Sequence, residues 1–367
     1  MKILFVTNAR LCNGAEEHLI DLGHSFVKAG IRVLFAVRES SAFAERLQQE
    51  QLPIAICFAA KGKKIRSVVT LARIISTEQP DVVSVNREHN IYLAWLAARL
   101  AAPFCKQRPK LAMVFHTPTG RRYPVLSRFD GIIATSRFTA GAFVSANPEL
   151  SGKITVIHYG IHLPPPPDAS KSNPERPRRF FTERGYPLIG MVGELWKNQS
   201  ELIPLARTLI TQFPHLTVAI VGGEDEASFS VLRELIAASG LKEHFVLVPR
   251  VSRTCIPNIF YDFDLSVSTH RNEGFGIVHI ESLAAGTPAV AYRAGGLVEI
   301  LEKGGSILVD GNVDDMAGAV ARLLTDTSER VRLAAEGRLV VEAEFSIDIM
   351  SSRHLEFYRK LADGCPL

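Results

Sequence analysis

The strongest constraint in this chain is a rhythm. Apolar, β-branched runs of five to seven residues alternate with stretches of helical apolar spacing. In the first half the short runs fall at 2–7 (K-I-L-F-V-T), 31–37 (I-R-V-L-F-A-V), 81–85 (D-V-V-S-V), 110–116, 130–135 and 153–158. Helical spacing lies between them, near 15–29, 65–78, 91–101 and 137–146. Several short runs are apolar at every position rather than at every second one. A strand reads that way when helices cover both faces of its sheet, so the alternation predicts doubly wound parallel α/β structure.

The rhythm breaks once. Residues 160–186 contain the run Pro164–Pro167 among many polar residues, and proline lacks the N–H that a helix interior or central strand requires. The pattern resumes at 187–193 (P-L-I-G-M-V-G) and continues at 216–222, 244–249, 264–268 and 288–292. Helices are expected near 198–212, 226–239 and 274–285, and 312–362 reads as almost entirely helical. A chain of 367 residues is long enough for two cores. The expected division is a first Rossmann-like domain over 1–162, a linker over 163–186, a second Rossmann-like domain over 187–345 and a terminal helix within 346–367. Open sheets of this kind bind ligands beyond the carboxyl ends of their strands. Two such edges facing a central cleft would suit a reaction between two substrates.

Several function classes are excluded. No run of about 18 apolar residues is present, so no membrane span is expected. The opening M-K-I-L-F-V-T-N reads as a buried first strand, because Asn8 and Arg10 come too early for a signal peptide. Five scattered cysteines without metal spacing point to a reducing cytoplasm and no structural zinc. No Walker motif, G-x-G-x-x-G or RNA-type aromatic signature occurs, and no nucleic-acid partner is expected. Charge is uneven: residues 1–170 hold 21 Lys/Arg against 12 Asp/Glu, and the remainder hold 21 against 26. The basic half fits either a solvated face or contact with an anionic acceptor or membrane.

The most informative stretch is R-N-E-G-F-G-I-V-H-I-E-S-L-A-A-G-T-P-A-V-A-Y, residues 271–292. Ile277, Val278, Ile280, Leu283 and Ala284 have the spacing of a buried helix, entered through Gly274-Phe275-Gly276 and closed by Gly286 and Pro288. Glu273 would lie in the preceding loop, and Glu281 about two turns inside the helix. Glycines let backbone approach a ligand, and a helix start favours an anion. The order acceptor, N–H donors, acceptor complements a sugar, a diphosphate and a ribose. A core helix with Glu281 in a structural hydrogen bond and Glu273 in solvent is the competing interpretation.

E-G-F-G-I-V-H-I-E-S-L-A-A-G-T-P closely resembles the E-x7-E motif of retaining glycosyltransferases of family 4. V-G-E-L-W-K-N-Q (192–199), I-T-V-I-H-Y-G-I (154–161), N-G-A-E-E-H (13–18) and F-H-T-P (115–118) resemble further segments of that family, in family order over nearly the whole chain. The resemblance implies a GT-B fold and sugar transfer from a nucleotide donor, UDP- or GDP-linked, with retention, no cofactor and no metal. It also implies that the terminal helix crosses back to the first domain. Carried over by position, Glu273 and His116 would be catalytic, with Glu273 facing the donor sugar. Glu281 would bind the ribose, Lys197 the diphosphate, and Gly14 and the Phe275 and Gly276 amides would approach the donor. The basic first half points to a glycan or lipid-linked hydroxyl acceptor in cell-surface synthesis, with peripheral contact to an anionic membrane. Alternatives on the same architecture are a nucleotide-sugar epimerase, which needs no acceptor, and a non-catalytic nucleotide-sugar-binding protein.

The chain departs from the resembled pattern in three places. Glu194 stands where the family commonly has an arginine on the diphosphate. The loop between Leu195 and Lys197 is shortened. Tyr159-Gly160-Ile161-His162 replaces an Asn-Gly-hydrophobic-Asp turn. Asp262-Phe263-Asp264 has a metal-type D-x-D spacing, but its place before a strand argues against metal binding. Asn312–Asp315 reads as a helix cap, Gly222-Gly223-Glu224 as a turn and His279 as a satisfied core histidine. The K-G-K-K-I-R run (61–66) and Arg121-Arg122 are solvated loop charges or lipid contacts.

Overall fold

A computed structural model describes residues 1–58, 64–166, 180–183 and 186–365. Its contacts divide the chain into two units, Met1–Gly160 with Ile347–Leu367, and Ile161–Ser346. The first unit runs β1 (Lys2–Val6), α1 (Gly14–Lys28), β2 (Arg32–Arg38), α2 (Ala42–Gln49), β3 (Ile54–Phe58), α3 (Lys64–Glu78), β4 (Val82–Asn86), α4 (Ile91–Ala101), β5 (Lys110–Phe115), β6 (Gly131–Ala134), α5 (Arg137–Ala146) and β7 (Ile154–Val156). The second runs β8 (Leu188–Val192), α6 (Leu202–Leu209), β9 (Thr217–Val221), α7 (Ser230–Ser239), β10 (Phe245–Val248), α8 (Ile256–Asp262), β11 (Leu265–Ser268), α9 (Ile277–Ala284), β12 (Ala289–Tyr292), α10 (Val298–Leu301), β13 (Ser306–Val309), α11 (Val313–Thr325) and α12 (Thr327–Glu344). A last helix, α13 (Ile347–Asp363), belongs to the first unit.

Each unit is a parallel sheet with helices on both faces, as the apolar runs require. The first sheet has the order β3-β2-β1-β4-β5-β6-β7 and the second β10-β9-β8-β11-β12-β13. In β1, Leu4 and Val6 join the core under α3 and α4, together with Val83 and Val85 of β4. Phe5 faces the other way, its ring 5.1 Å from Phe35 and 6.3 Å from both Phe26 and Tyr358. Gly23 makes this packing possible, since a Cβ there would come within 2.9 Å of the Phe35 ring. Helix α13 closes the same face against α1 and β4, with the Tyr358 hydroxyl 2.8 Å from Ser84 Oγ.

The second sheet repeats the logic. Ile189 and Met191 of β8 pack in the core with α6 and α11, and Leu188 packs on the opposite side with Phe260 and Phe263. Gly190 lies directly against the Phe263 ring, and a Cβ would be 2.1 Å from its Cζ. Asp262 and Asp264 are spent on backbone amides. Asp262 Oδ2 accepts from the N–H groups of Phe180 and Phe181 at 2.6 and 2.8 Å, and Asp264 Oδ2 from Leu188 N at 2.8 Å. Among the described residues no cluster of three or more His, Cys, Asp or Glu could hold a metal.

Differences from the sequence expectations concern edges and short pieces. Strands β3 (I-A-I-C-F) and β13 (S-I-L-V), which are not among the expected strands, each end a sheet and are only partly buried. Helices α2, α8 and α10 span eight residues or fewer, about two turns at most. The expected 198–212 helix is regular only over Leu202–Leu209, after a 3-10 turn at Gln199–Glu201. The 312–362 region is three helices, the first capped by Asn312, whose Oδ1 accepts from Asp314 N and Asp315 N at 2.8 and 3.3 Å. Most of the 163–186 linker lies outside the described residues, as do Lys61, Gly62 and Lys63 of the basic run.

Candidate functional site

In the second sheet the chain leaves β8 for β9 and β10 on one side, then returns to β11 and continues to β12 and β13 on the other. The loops after β8 and β11 therefore diverge at the switch point, where the carboxyl ends of strands leave a crevice. Lys197 stands in the first loop and Glu273 in the second. Lys197 Nζ donates to Glu273 Oε2 at 2.5 Å, and both side chains are only 15% exposed. The lysine reaches this place because its stem folds over Gly193, where a Cβ would be 3.3 Å from Lys197 Cδ. Burial pushes the Glu273 carboxyl up, but the Lys197 ammonium and nearby His279 and His270 more than offset this and hold it below its ordinary value.

The two loops are fastened at several points. Thr269 Oγ1 donates to Asn198 O at 2.8 Å, with Asn198 in the left-handed region at φ 61°. Arg271 Nη1 and the Tyr292 hydroxyl donate to the two carboxylate oxygens of Glu201 at 2.6 and 2.9 Å, and the Arg271 guanidinium lies 3.7 Å over the Tyr292 ring. Burial and the Glu201 hydrogen bond push the Tyr292 phenol up to about 12. The Glu273 backbone is gripped as well: Gly296 N donates to Glu273 O at 2.7 Å, and Gly295, at φ +71°, leaves no room for a Cβ against that backbone.

Helix α9 begins at Ile277 with Gly276 as its cap at φ +99°. A Cβ on Gly276 would come within 2.7 Å of His279 Cδ2, so this position requires glycine on two counts. The helix starts three residues later than the expected Gly274. Glu281 consequently sits about one turn inside it, on the order of 6 Å along the axis, rather than two. The Glu281 side chain is half-buried. The Phe275 ring is in the core, edge-on to Phe345 at 5.9 Å, which leaves its amide rather than its ring for the crevice. His279 is buried as expected, but its Nδ1 has no hydrogen-bond partner among the described residues. Burial, with Lys197 and His270 nearby, lowers its pKa to about 4 despite Glu273.

Glu194 is not the isolated carboxylate that its sequence position suggests. Arg250, two residues beyond the end of β10, donates from Nη2 to Glu194 Oε1 at 2.6 Å. Sequence reasoning missed Arg250, Arg271, Glu201 and the Gly295-Gly296 turn. Only the last carried a local signal, a Gly-Gly pair directly after a strand.

The first unit has its own switch point between β1 and β4. Gly14 opens α1 there, with Asn13 N donating to the Glu16 carboxylate at 3.3 Å. Glu16 is buried and accepts from Arg87 Nη2 at 2.6 Å; Arg87 itself has φ 111°, a strained value for arginine. His116 follows β5, and its Nδ1 lies 2.5 Å from the Tyr159 hydroxyl. Burial first, then Arg87 and His354, lowers the His116 pKa to about 3, so its ring is neutral near pH 7. Lys197, Glu273, Phe275, Gly276 and Glu281 thus gather on one edge of the second unit, while in the first Gly14 opens a helix and His116 occupies a loop.

Two doubly wound parallel units of this kind define the GT-B glycosyltransferase class of fold. Superposition agrees: the crystal structure of Anabaena Alr3699/HepE in complex with UDP-glucose matches with a TM-score of 0.83 at 21% identity, covering 98% of this chain and all of that one. The family described as Glycosyltransferase Family 4 matches residues 12–163, and Glycosyl transferases group 1 matches residues 173–340. The chain belongs to this glycosyltransferase family. A D-inositol 3-phosphate glycosyltransferase from Salinispora arenicola is 30% identical, over 64% of this chain and 55% of that protein, so the match spans about half of the relative's length. A GDP-mannose-dependent alpha-(1-6)-phosphatidylinositol monomannoside mannosyltransferase from Mycobacterium tuberculosis is 27% identical over 74% of this chain and 77% of that protein.

Proposed function

We propose that the chain transfers a sugar from a nucleoside-diphosphate sugar to a hydroxyl of a glycan or lipid-linked acceptor, with retention at the anomeric carbon. The observation that carries this is the buried Lys197–Glu273 pair at the mouth of the Gly276-capped helix. A low-dielectric ammonium beside a helix start can neutralise the charge that develops on a departing diphosphate, the main electrostatic demand of such a reaction. When the lysine turns to phosphate, Glu273 is released to accept from a sugar hydroxyl. Glu281 would hold the ribose hydroxyls, and the amides of Phe275 and Gly276 would approach the donor. Gly14 would admit the diphosphate to the first loop, and neutral His116 would hydrogen-bond near the donor sugar. Attack on the leaving-group face, assisted by the departing phosphate, needs neither a metal nor another cofactor.

The donor reading is supported by the UDP-glucose complex of the structural neighbour and the GDP-mannose named for the relative, which keep UDP- and GDP-sugars as the first candidates. Incubation with radiolabelled UDP- and GDP-sugars and lipid-linked or free glycan acceptors should give a product with unchanged anomeric configuration by NMR. Isomerised donor without transfer would favour the epimerase alternative, and binding without turnover the non-catalytic one.

Peripheral contact with an anionic membrane on the cytoplasmic side belongs to the same proposal. No helix among the described residues is long and apolar enough to cross a membrane. The paired helices α3 and α4 instead expose Ile65, Val69, Tyr92, Leu96 and Leu100 alongside Arg66, Arg73 and Arg99. Apolar side chains with basic neighbours suit an anionic lipid surface. Of the expected contact residues, Arg66, Arg121 and Arg122 are exposed. Flotation with phosphatidylglycerol vesicles should carry the protein up, and retention in the soluble fraction would remove this part of the proposal.

A further inference from the structure

Strands β10, β9 and β8 lie side by side, so the ends of β10 and β8 are about 10 Å apart at about 4.8 Å per strand. The Arg250 side chain crosses that interval and ends on Glu194 at 2.6 Å. Its base is fixed by Arg250 N donating to Gly223 O at 3.1 Å. Below the crossing the end of β9 is bare, because Gly222 and Gly223 carry no side chain and could not. A Cβ on Gly222 would lie 1.9 Å from Gly193 O, and one on Gly223 would lie 2.8 Å from Leu195 Cδ1. The two glycines have φ of +157° and +75°, values that L side chains rarely adopt.

The crossing delivers a guanidinium to the residue after Gly193, where the chain itself supplies a carboxylate. Lys197 is bound to the same turn, with Lys197 N donating to Glu194 O at 3.2 Å. We propose that Arg250 is the second diphosphate-binding cation of this chain, with Glu194 acting as the positioning residue that holds it over the glycine floor. This rests on the donor-site reading above and deepens it. A guanidinium has five N–H donors in a planar fork, so a group held by a carboxylate can also donate to phosphate. Glu194 then anchors the cation instead of repelling the ligand.

The test is calorimetric titration with UDP, GDP and ADP, each beside its parent nucleoside. Wild type is compared with Arg250→Ala, Arg250→Gln, Glu194→Ala, Glu281→Ala and the double variant Glu194→Arg/Arg250→Ala. Whichever diphosphate binds wild type should lose about tenfold or more in affinity in both Arg250 variants. Its nucleoside should bind unchanged. Glu194→Ala should lose less, and the double variant should recover most of the loss, because it returns a cation to the same place from the other strand. Wild-type affinity in both Arg250 variants, with binding lost in Glu281→Ala, would overturn the role of Arg250 and leave the donor site standing. Equal losses for diphosphate and nucleoside would also overturn it. Absence of binding of all three diphosphates to wild type would remove both proposals.

Discussion

The two units share an architecture and differ in what they place at the ligand edge. The second unit gathers charges in pairs: Lys197 with Glu273, Arg250 with Glu194 and Arg271 with Glu201. The first unit pairs Glu16 with Arg87 and Glu17 with Arg46, and beside them it gathers aromatic and imidazole rings. His18 lies edge-on to Tyr159 at 4.6 Å and 5.2 Å from His354, and Tyr159 meets His116. Such rings can orient hydroxyls but cannot neutralise a diphosphate, whereas paired cations can exchange a carboxylate for a phosphate. Under the proposed function the same sheet would support two different jobs, with the division in the loops rather than in the fold.

The largest expected effect breaks the charged edge. Glu273→Gln and Lys197→Ala should each reduce kcat by about 10²- to 10³-fold, the range seen when an electrostatic contact to a reacting group is removed. Steady-state kinetics at saturating donor would show it. Rates within a factor of two of wild type in both would detach the pair from the chemistry.

A second test uses pH. The His116 pKa is lowered to about 3 and that of His354 to about 4 in the first unit, against about 4 for His279 in the second. Each is below the ordinary 6.5, so the unfolded chain takes up protons first as pH falls. Stability contributed by these neutral rings is complete above pH 6.5 and declines as pH falls toward 4 and then 3. Chemical denaturation followed over that range should show declining stability, and His354→Phe should reduce the slope. An unchanged slope would mean that His354 does not titrate in this way.

The smallest expected effect is at Tyr159. Tyr159→Phe removes the partner of His116 Nδ1, at a cost of about 1 kcal/mol in an ordinary hydrogen bond. Turnover should fall by about fivefold with little change in nucleotide affinity. An equal loss of nucleotide affinity would place Tyr159 in the donor site instead.

How much of this could be seen in the sequence depended on whether a signal was local. Continuous apolar runs such as T-V-A-I-V in β9 disclosed the buried central strands, and Gly274-Phe275-Gly276 disclosed a helix entrance. The edge strands β3 and β13 went unassigned although I-A-I-C-F and I-L-V are themselves apolar runs, so the signal for both was present in the sequence. Glu194 could be recognised as a departure, but its partner lies 56 residues away and meets it only because β9 intervenes between β10 and β8. Arg271 and Glu201, 70 residues apart, were hidden for the same reason. Asp262 and Asp264 looked like a metal motif until the amides they accept from were in place.

On the proposal above, the second unit's edge binds a nucleoside diphosphate through the stretch between Glu273 and Glu281. The most direct test is calorimetric titration of UDP and GDP into wild type and Glu281→Ala. One diphosphate should bind wild type, and the variant should bind it about ten- to a hundredfold more weakly, as the loss of hydrogen bonds to a charged acceptor implies. Binding of the same strength in both proteins, or of neither nucleotide to wild type, would contradict the claim.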